Sequence, residues 1–205
     1  MKKLKKAEIS FSFRISNFNC TINNNYFYFN KTKFKTRLLG VCQIENAAVC
    51  LTALLKIGIS LKNIKKGLEK AFIPARFEIF KLKPLVVLDG AHNENGVLNL
   101  KQSLNVLFKD KTNFVGVYAS LKSKNYKEIM FKFKDVFKKV ILTKPPDPDF
   151  LKTEVLKKHA QNLKISCLTE KSPFKAIDLA IKLAGDFGVV VVFGSLKLAS
   201  FVRRF

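Results

Sequence analysis

From Leu85 onward the chain alternates between two hydrophobic rhythms, and that alternation constrains the fold more than any other feature. Short unbroken apolar runs, Leu85-Val86-Val87-Leu88 and Val189-Val190-Val191-Val192-Phe193 foremost, are separated by stretches whose apolar residues recur every three or four positions. Such a run reads as a strand covered on both faces. Val97, Leu100, Leu104 and Leu107, and then Tyr126, Ile129, Met130, Phe133 and Phe137, read as helix faces. The spacing predicts strand 84–89, a helix to about 108, strand 113–119, the helix through Phe137 and strand 139–143. A turn at Pro145-Pro146-Asp147-Pro148 comes next, then a helix with Leu151, Val155 and Leu156, a short strand near 164–168, a helix from Pro173 to Ala184 and strand 189–193. Strands alternating with helices imply an α/β fold: a mostly parallel, Rossmann-like sheet with helices on both faces.

The first joint of that series carries the chemistry. Leu88-Asp89-Gly90-Ala91-His92-Asn93-Glu94-Asn95-Gly96 falls where a strand ends and a helix begins. In open α/β sheets ligands bind at the carboxyl ends of the strands. Gly90 lets backbone approach a ligand closely, and a new helix offers unpaired N–H groups to an anion. A plain strand–turn–helix joint with polar caps is the competing account.

The first third reads differently. Residues 8 to 36 look like strands: Ile9-Ser10-Phe11-Ser12-Phe13-Arg14-Ile15 alternates, and the turn-like Asn23-Asn24-Asn25 precedes Tyr26-Phe27-Tyr28-Phe29. Ile44, Ala47, Ala48, Leu51, Leu54 and Leu55 form one helix face, ended by Gly58, and a lysine-rich helix begins after Ser60 with Leu61, Ile64 and Leu68. Pro74 breaks the pattern, and a domain boundary is expected near 73–77. Nearly half of the 205 residues are apolar, enough for a sizeable core. No apolar run reaches the ~18–20 residues needed to span a membrane, and no signal-peptide core succeeds the basic start, so a cytoplasmic protein is expected.

The net charge of +23 raises the question of nucleic acid. Only five of the 38 basic residues are arginine, the preferred reader of phosphates and bases, and the lysines are spread over nearly every expected helix. The charge therefore reads as solvated surface, with no specific nucleic-acid partner. Cys20, Cys42, Cys50 and Cys167 form no Cys-x-x-Cys pair, and His92 and His159 are the only histidines, so a zinc site has no support.

Leu-Asp-Gly-Ala-His-Asn resembles the signature of the folylpolyglutamate synthase/dihydrofolate synthase family, within the Mur-ligase superfamily. Three further segments resemble that family in the same order: Leu38-Leu39-Gly40-Val41-Cys42-Gln43-Ile44-Glu45-Asn46-Ala47-Ala48, the linker Ile73-Pro74-Ala75-Arg76-Phe77-Glu78, and Val192-Phe193-Gly194-Ser195-Leu196. The resemblance implies ATP-dependent ligation of glutamate to a reduced folate through an acyl phosphate. It also implies a Mur-ligase C-terminal domain at 78–205, a linker at 73–77 and, at 1–72, a partial α/β remnant of the central ATPase domain. The ligands are then ATP, Mg²⁺, L-glutamate and reduced folate.

A P-loop needs a Gly-Lys pair, and no glycine here precedes lysine. The resemblance therefore implies that the phosphate cradle and the metal ligands belong to a region outside this chain. The chain is expected to be a truncated gene product, an excised fragment, or one half of a split protein partnered by a P-loop-bearing half, and to be inactive alone. A non-catalytic residual nucleotide- or glutamate-binding domain is the alternative.

Carried over residue by residue, the resemblance makes Asn46, Arg76 and Asp89 nucleotide contacts. It makes His92 the catalytic residue beside the incoming glutamate, and Ser195 a second glutamate contact. Ordinary accounts compete: a polar helix flank for Asn46, a helix-dipole acid for Asp89, a cap for His92 and an N-cap for Ser195. Cys42 replaces the family's histidine, Ala75 its linker glycine, Ser123 and Asn125 two acids, and Asp149 an arginine. Asp89, His92 and Ser195 are expected at one edge of the sheet, facing a cleft, so that alanine at Asp89 or His92 leaves the fold intact.

Overall fold

The computed structural model describes residues 15–109 and 113–204. Three antiparallel strands come first: β1 (Ile15–Cys20), β2 (Asn25–Phe29) and β3 (Thr32–Thr36). The expected strand at 9–15 lies outside the described residues except for Ile15, which opens β1. Alternation along β2 and β3 puts Phe27, Phe29 and Phe34 on one face, where α1 (Val41–Lys56) and α2 (Leu61–Lys70) cover them. Ile44, Ala47, Ala48 and Leu51 of α1 and Ile64 and Leu68 of α2 complete this small core. Ser60 caps α2 by accepting from Asn63 N, as serine commonly does before a helix.

The remainder forms a six-stranded sheet in the order β4-β5-β9-β6-β7-β8. Its strands are β4 (Glu78–Leu82), β5 (Leu85–Leu88), β6 (Phe114–Tyr118), β7 (Lys139–Leu142), β8 (Cys167–Thr169) and β9 (Val189–Phe193). All neighbours run parallel except β4, an antiparallel edge strand paired with β5. Between them lie α3 (Glu94–Leu107), α4 (Tyr126–Phe133), α5 (Thr153–Asn162) and α6 (Pro173–Ala184), and α7 (Leu196–Val202) closes the chain.

Strand side chains alternate between two cores. Leu85, Val87, Val189, Val191 and Phe193 pack under α3, α4 and α5. Val86, Leu88, Val190 and Val192 pack under α6 and α7. Helices therefore cover both faces, which is why the central strands are apolar throughout.

Several details differ from the sequence reading: β8 lies at Cys167–Thr169 rather than near 164–168, and Leu151 precedes α5 rather than lying in it. β4 was not expected, because Glu78-Ile79-Phe80-Lys81-Leu82 shows no clean alternation and its register shifts between Ile79 and Lys81. α4 ends at Phe133, although Phe137 beyond it still packs against Phe133 and Phe193 in the core.

A candidate nucleotide and amino-acid site at the sheet edge

Successive loops leave the sheet on opposite faces. The chain after β6 returns through α4 on one side, and the chain after β9 enters α7 on the other. A crevice opens at the carboxyl ends of strands where such connections diverge. The turns after β5 and β9 both fall there, because those strands are parallel neighbours with Leu88 opposite Val192. Asp89 N donates to Val192 O at 2.9 Å, and a side chain on Gly90 would collide with Leu196. Glycine at 90 is what lets the two turns touch.

Asp89 organises the junction. Its Oδ2 accepts from Phe77 N at 2.9 Å and its Oδ1 from Ala91 N at 2.7 Å. Gly90 N donates to Ala75 O at 2.7 Å, and Ala75 N donates to Glu78 Oε2 at 2.9 Å. Glu78 in turn pairs with Arg203 at 3.0 Å. Residues 75–77 are thereby stitched to the Asp-Gly turn, with Ala75 (φ 54°) and Phe77 (φ 49°) both in the left-handed region. Asp89 is half-buried, and desolvation of its carboxylate raises its pKa to about 6 against the opposing pull of the two N–H donors and the Arg76 charge. Alanine at Asp89 would strand two backbone donors, a stability cost that the sequence reading did not include.

A cavity of about 40 Å³ beside this carboxylate is lined by Cys42, Gln43, Arg76, Asp89, Asn99 and Ser103 among others. Asn46, exposed on α1, joins it indirectly: its Nδ2 donates to Gln43 Oε1 at 3.2 Å. Arg76 and Asp89 line this cavity together with Gln43, to which the sequence assigned no role, and Asn46 reaches it only through its bond to Gln43. Burial raises the Cys42 thiol, and the Asp89 charge adds to the effect. A larger groove of about 290 Å³ shares Leu39, Arg76 and Phe77 with this cavity.

His92 and Ser195 sit on the adjoining turns. His92 Nδ1 lies 2.8 Å from Gly90 O. A carbonyl only accepts, so Nδ1 donates its proton to Gly90 O and Nε2 is the ring nitrogen left to face outward contacts. Ser195 is 2% exposed and its Oγ accepts from Lys197 N at 3.1 Å, capping α7 and leaving the hydroxyl proton to donate elsewhere. His92 and Ser195 are on neighbouring turns of one edge, each anchored to its own turn. Gly194 (φ 105°) sets the second turn, where an added Cβ would collide with Ala119 O. Asn125 Nδ2 reaches Glu94 Oε1 at 3.4 Å, bringing the loop before α4 to the start of α3. Lys197 bridges Asp147 at 2.9 Å and Asp149 at 3.1 Å on the rim. These exposed pairs contribute little energy.

Among the described residues no group of three or more His, Cys, Asp or Glu side chains could hold a metal. No helix among them is long and apolar enough to cross a membrane.

Residues 75–196 match the family model described as Mur ligase, glutamate ligase domain. The dihydrofolate synthase/folylpolyglutamate synthase of Bacillus subtilis is 28% identical over 177 residues, covering 83% of this chain and 40% of that protein. The crystal structure of folylpolyglutamate synthase from Thermotoga maritima matches at 31% identity and a TM-score of 0.77, covering 94% of this chain and 46% of its own. The Mycobacterium tuberculosis folylpolyglutamate synthase complexed with ADP and AMPPCP matches in fold at 24% identity and a TM-score of 0.85, covering 94% and 47%. The chain therefore spans less than half the length of these relatives. The matched domain holds the Asp89 and His92 turn and reaches the Ser195 turn, and on that match the chain belongs to the Mur ligase family.

Proposed function

We propose that this chain is the C-terminal portion of an ATP-dependent folate–glutamate ligase, a tetrahydrofolylpolyglutamate synthase, a dihydrofolate synthase or both. A P-loop-bearing portion supplies the phosphate cradle and the metal ligands. In this reading residues 1–72 are the remnant of the ATPase domain, 73–77 the linker and 78–205 the C-terminal domain, working in the cytoplasm. The separate apolar core under β1–β3 supports that division.

The observation that carries the reading is the convergence of Arg76, Asp89 and the Asn46–Gln43 pair on one cavity at the ligand edge of the sheet. At about 40 Å³ it admits a few waters and no purine, which suits one wall of a nucleotide site whose facing wall lies on the other portion. Asp89 keeps lone pairs beyond its two backbone bonds and can accept from ribose hydroxyls. Arg76, exposed, offers a planar fork to phosphate oxygens. His92 Nε2 can accept from the amine of glutamate, and the Ser195 hydroxyl can donate to a glutamate carboxylate. ATP and Mg²⁺, when bound, supply the activated phosphoryl group; these side chains hold and orient what surrounds it.

A second reading, a residual domain that binds without catalysing, is favoured by Ser123, Asn125 and Asp149 at positions where the resembled family carries charges of another kind. One assay separates the two. The purified chain, given magnesium, ATP, reduced folate and labelled glutamate, should form no product. Adding the portion of the Thermotoga maritima enzyme that this chain does not match should restore turnover. Robust glutamylation by the chain alone would overturn the two-part reading, and nucleotide binding by the pair without turnover would favour the residual domain.

A further inference from the structure

The turn after β7 and the start of α7 face each other across a hollow of about 450 Å³, a size that small-molecule sites commonly have. Its apolar lining includes Phe150, which is fully buried, with Leu196 and Phe201. Leu196 also packs against Gly90, in the turn that carries His92, and directly follows Ser195. The hollow thus adjoins the candidate amino-acid site. Lys197 reaches across its rim. Its N–H donates to Ser195 Oγ at 3.1 Å, and its Nζ meets Asp147 Oδ2 at 2.9 Å and Asp149 Oδ2 at 3.1 Å. An ammonium has three protons, and these two acids occupy two of them. Exposed ion pairs do little for a fold, so stability does not explain why two acids aim one lysine. Position 149, where the resembled family carries arginine, is itself an acid here, so the cation at this rim comes from α7.

We infer that Lys197 binds the second carboxylate of the incoming glutamate and so sets the preference for an acidic amino acid. This rests on the ligase reading given above. Glutamate brings two carboxylates on a short methylene stem. The Ser195 hydroxyl has one proton to donate and serves one carboxylate, which leaves the other without a donor. Lys197, two residues on, offers it a charged one, and Phe150 and Leu196 give the stem an apolar floor. Asp147 and Asp149 have opposed effects. Their oxygens hold the ammonium over the hollow, while their charges outnumber it and repel an anionic ligand. Removing the charges and keeping the oxygens should therefore strengthen glutamate binding.

The full chain is titrated with glutamate, glutamine and lysine at constant ionic strength, and binding is followed through the backbone amide resonances of Gly194 to Lys197. Glutamate should shift these amides and bind about tenfold more tightly than glutamine. Lys197→Ala should weaken glutamate about tenfold and leave glutamine unchanged, which erases the difference. The double variant Asp147→Asn, Asp149→Asn keeps an oxygen to accept from Asp149 N. It should tighten glutamate about threefold. An ion pair that only supports the fold would lower the Tm of both variants and leave selectivity alone. In the enzyme completed with the unmatched Thermotoga maritima portion, Lys197→Ala should raise KM for glutamate by the same factor, with kcat and KM for ATP unchanged. No glutamate binding at any concentration, equal binding of glutamate and glutamine, or selectivity that survives Lys197→Ala would overturn the inference even where the completed enzyme turns over. Preference for lysine would assign the rim to its two acids and refute it. Glutamate selected through Lys197 without turnover in the completed enzyme would overturn the ligase reading and leave the glutamate site standing.

Discussion

Asp89 is a half-buried acid used as a backbone anchor, and these two facts set its pH behaviour. Its folded pKa is raised from 3.8 to about 6, which corresponds to roughly 3 kcal/mol acting against the charged form in the fold. Desolvation is the dominant cause, partly offset by the N–H groups of Ala91 and Phe77 and then by Arg76. Between the two values the folded protein holds a proton that the unfolded chain has released. The contribution is therefore fully present below pH 4 and lost as pH rises through 6. Asp89→Asn cannot ionise. Urea melts of wild type and Asp89→Asn from pH 4 to 7 should show the wild type losing about 2–3 kcal/mol relative to the variant. The carboxyl ¹³C resonance of Asp89 should titrate near 6, and Arg76→Ala should move that midpoint higher. Nucleotide affinity of the complemented enzyme should fall below pH 6, where protonation weakens Asp89 as an acceptor. Parallel stability curves, or a titration at or below 3.8, would refute the reasoning.

Other substitutions test the turns individually. Asp89→Ala leaves Phe77 N and Ala91 N without their acceptor and should cost about 2–4 kcal/mol at pH 7, read by urea denaturation. Ser195→Ala removes the cap of α7 and should cost about 1 kcal/mol; an unchanged melt would show that the cap contributes nothing. Gly194→Ala meets both a positive φ and Ala119 O and should lose more than about 3 kcal/mol, seen as a large drop in Tm or as insoluble protein. Ser103 Oγ accepts from Val41 N at 3.2 Å, so Ser103→Ala should accelerate amide exchange at Val41 at least tenfold while exchange in β9 stays unchanged.

The large sheet was readable because each of its central strands is buried on both faces and so is written as an unbroken apolar run. Val189–Phe193 and Leu85–Leu88 could hardly be anything else between helix-period segments. β4 was not readable because it is an edge strand, only half covered, and its charges at Glu78 and Lys81 erase the pattern. The end of α4 was misjudged because Phe137 continues the helix spacing while its ring reaches the same core from a turn. Spacing reports where a side chain is buried, not whether its backbone is helical.

The site divides in the same way. Strand–turn–helix joints are visible in sequence and located Asp89, His92 and Ser195 at strand ends, while the family resemblance supplied the roles expected of them. Their partners were not visible, because a carboxylate that accepts from Phe77 N, twelve residues away, leaves no trace in spacing. Ala75 carries the mechanical consequence. Its left-handed backbone is held from both sides, by Glu78 Oε2 at its N–H and by Gly90 N at its carbonyl. A non-glycine residue in that region costs of order 1–3 kcal/mol, and the neighbouring hydrogen bonds keep it there. Freeing residues 75–77 from the Asp-Gly turn therefore means breaking the Phe77 N–Asp89, Gly90 N–Ala75 O and Ala75 N–Glu78 bonds. In the division proposed above, any movement of the two cores about 73–77 strains the Phe77 N–Asp89 bond, which ties the proposed linker to the Asp-Gly turn.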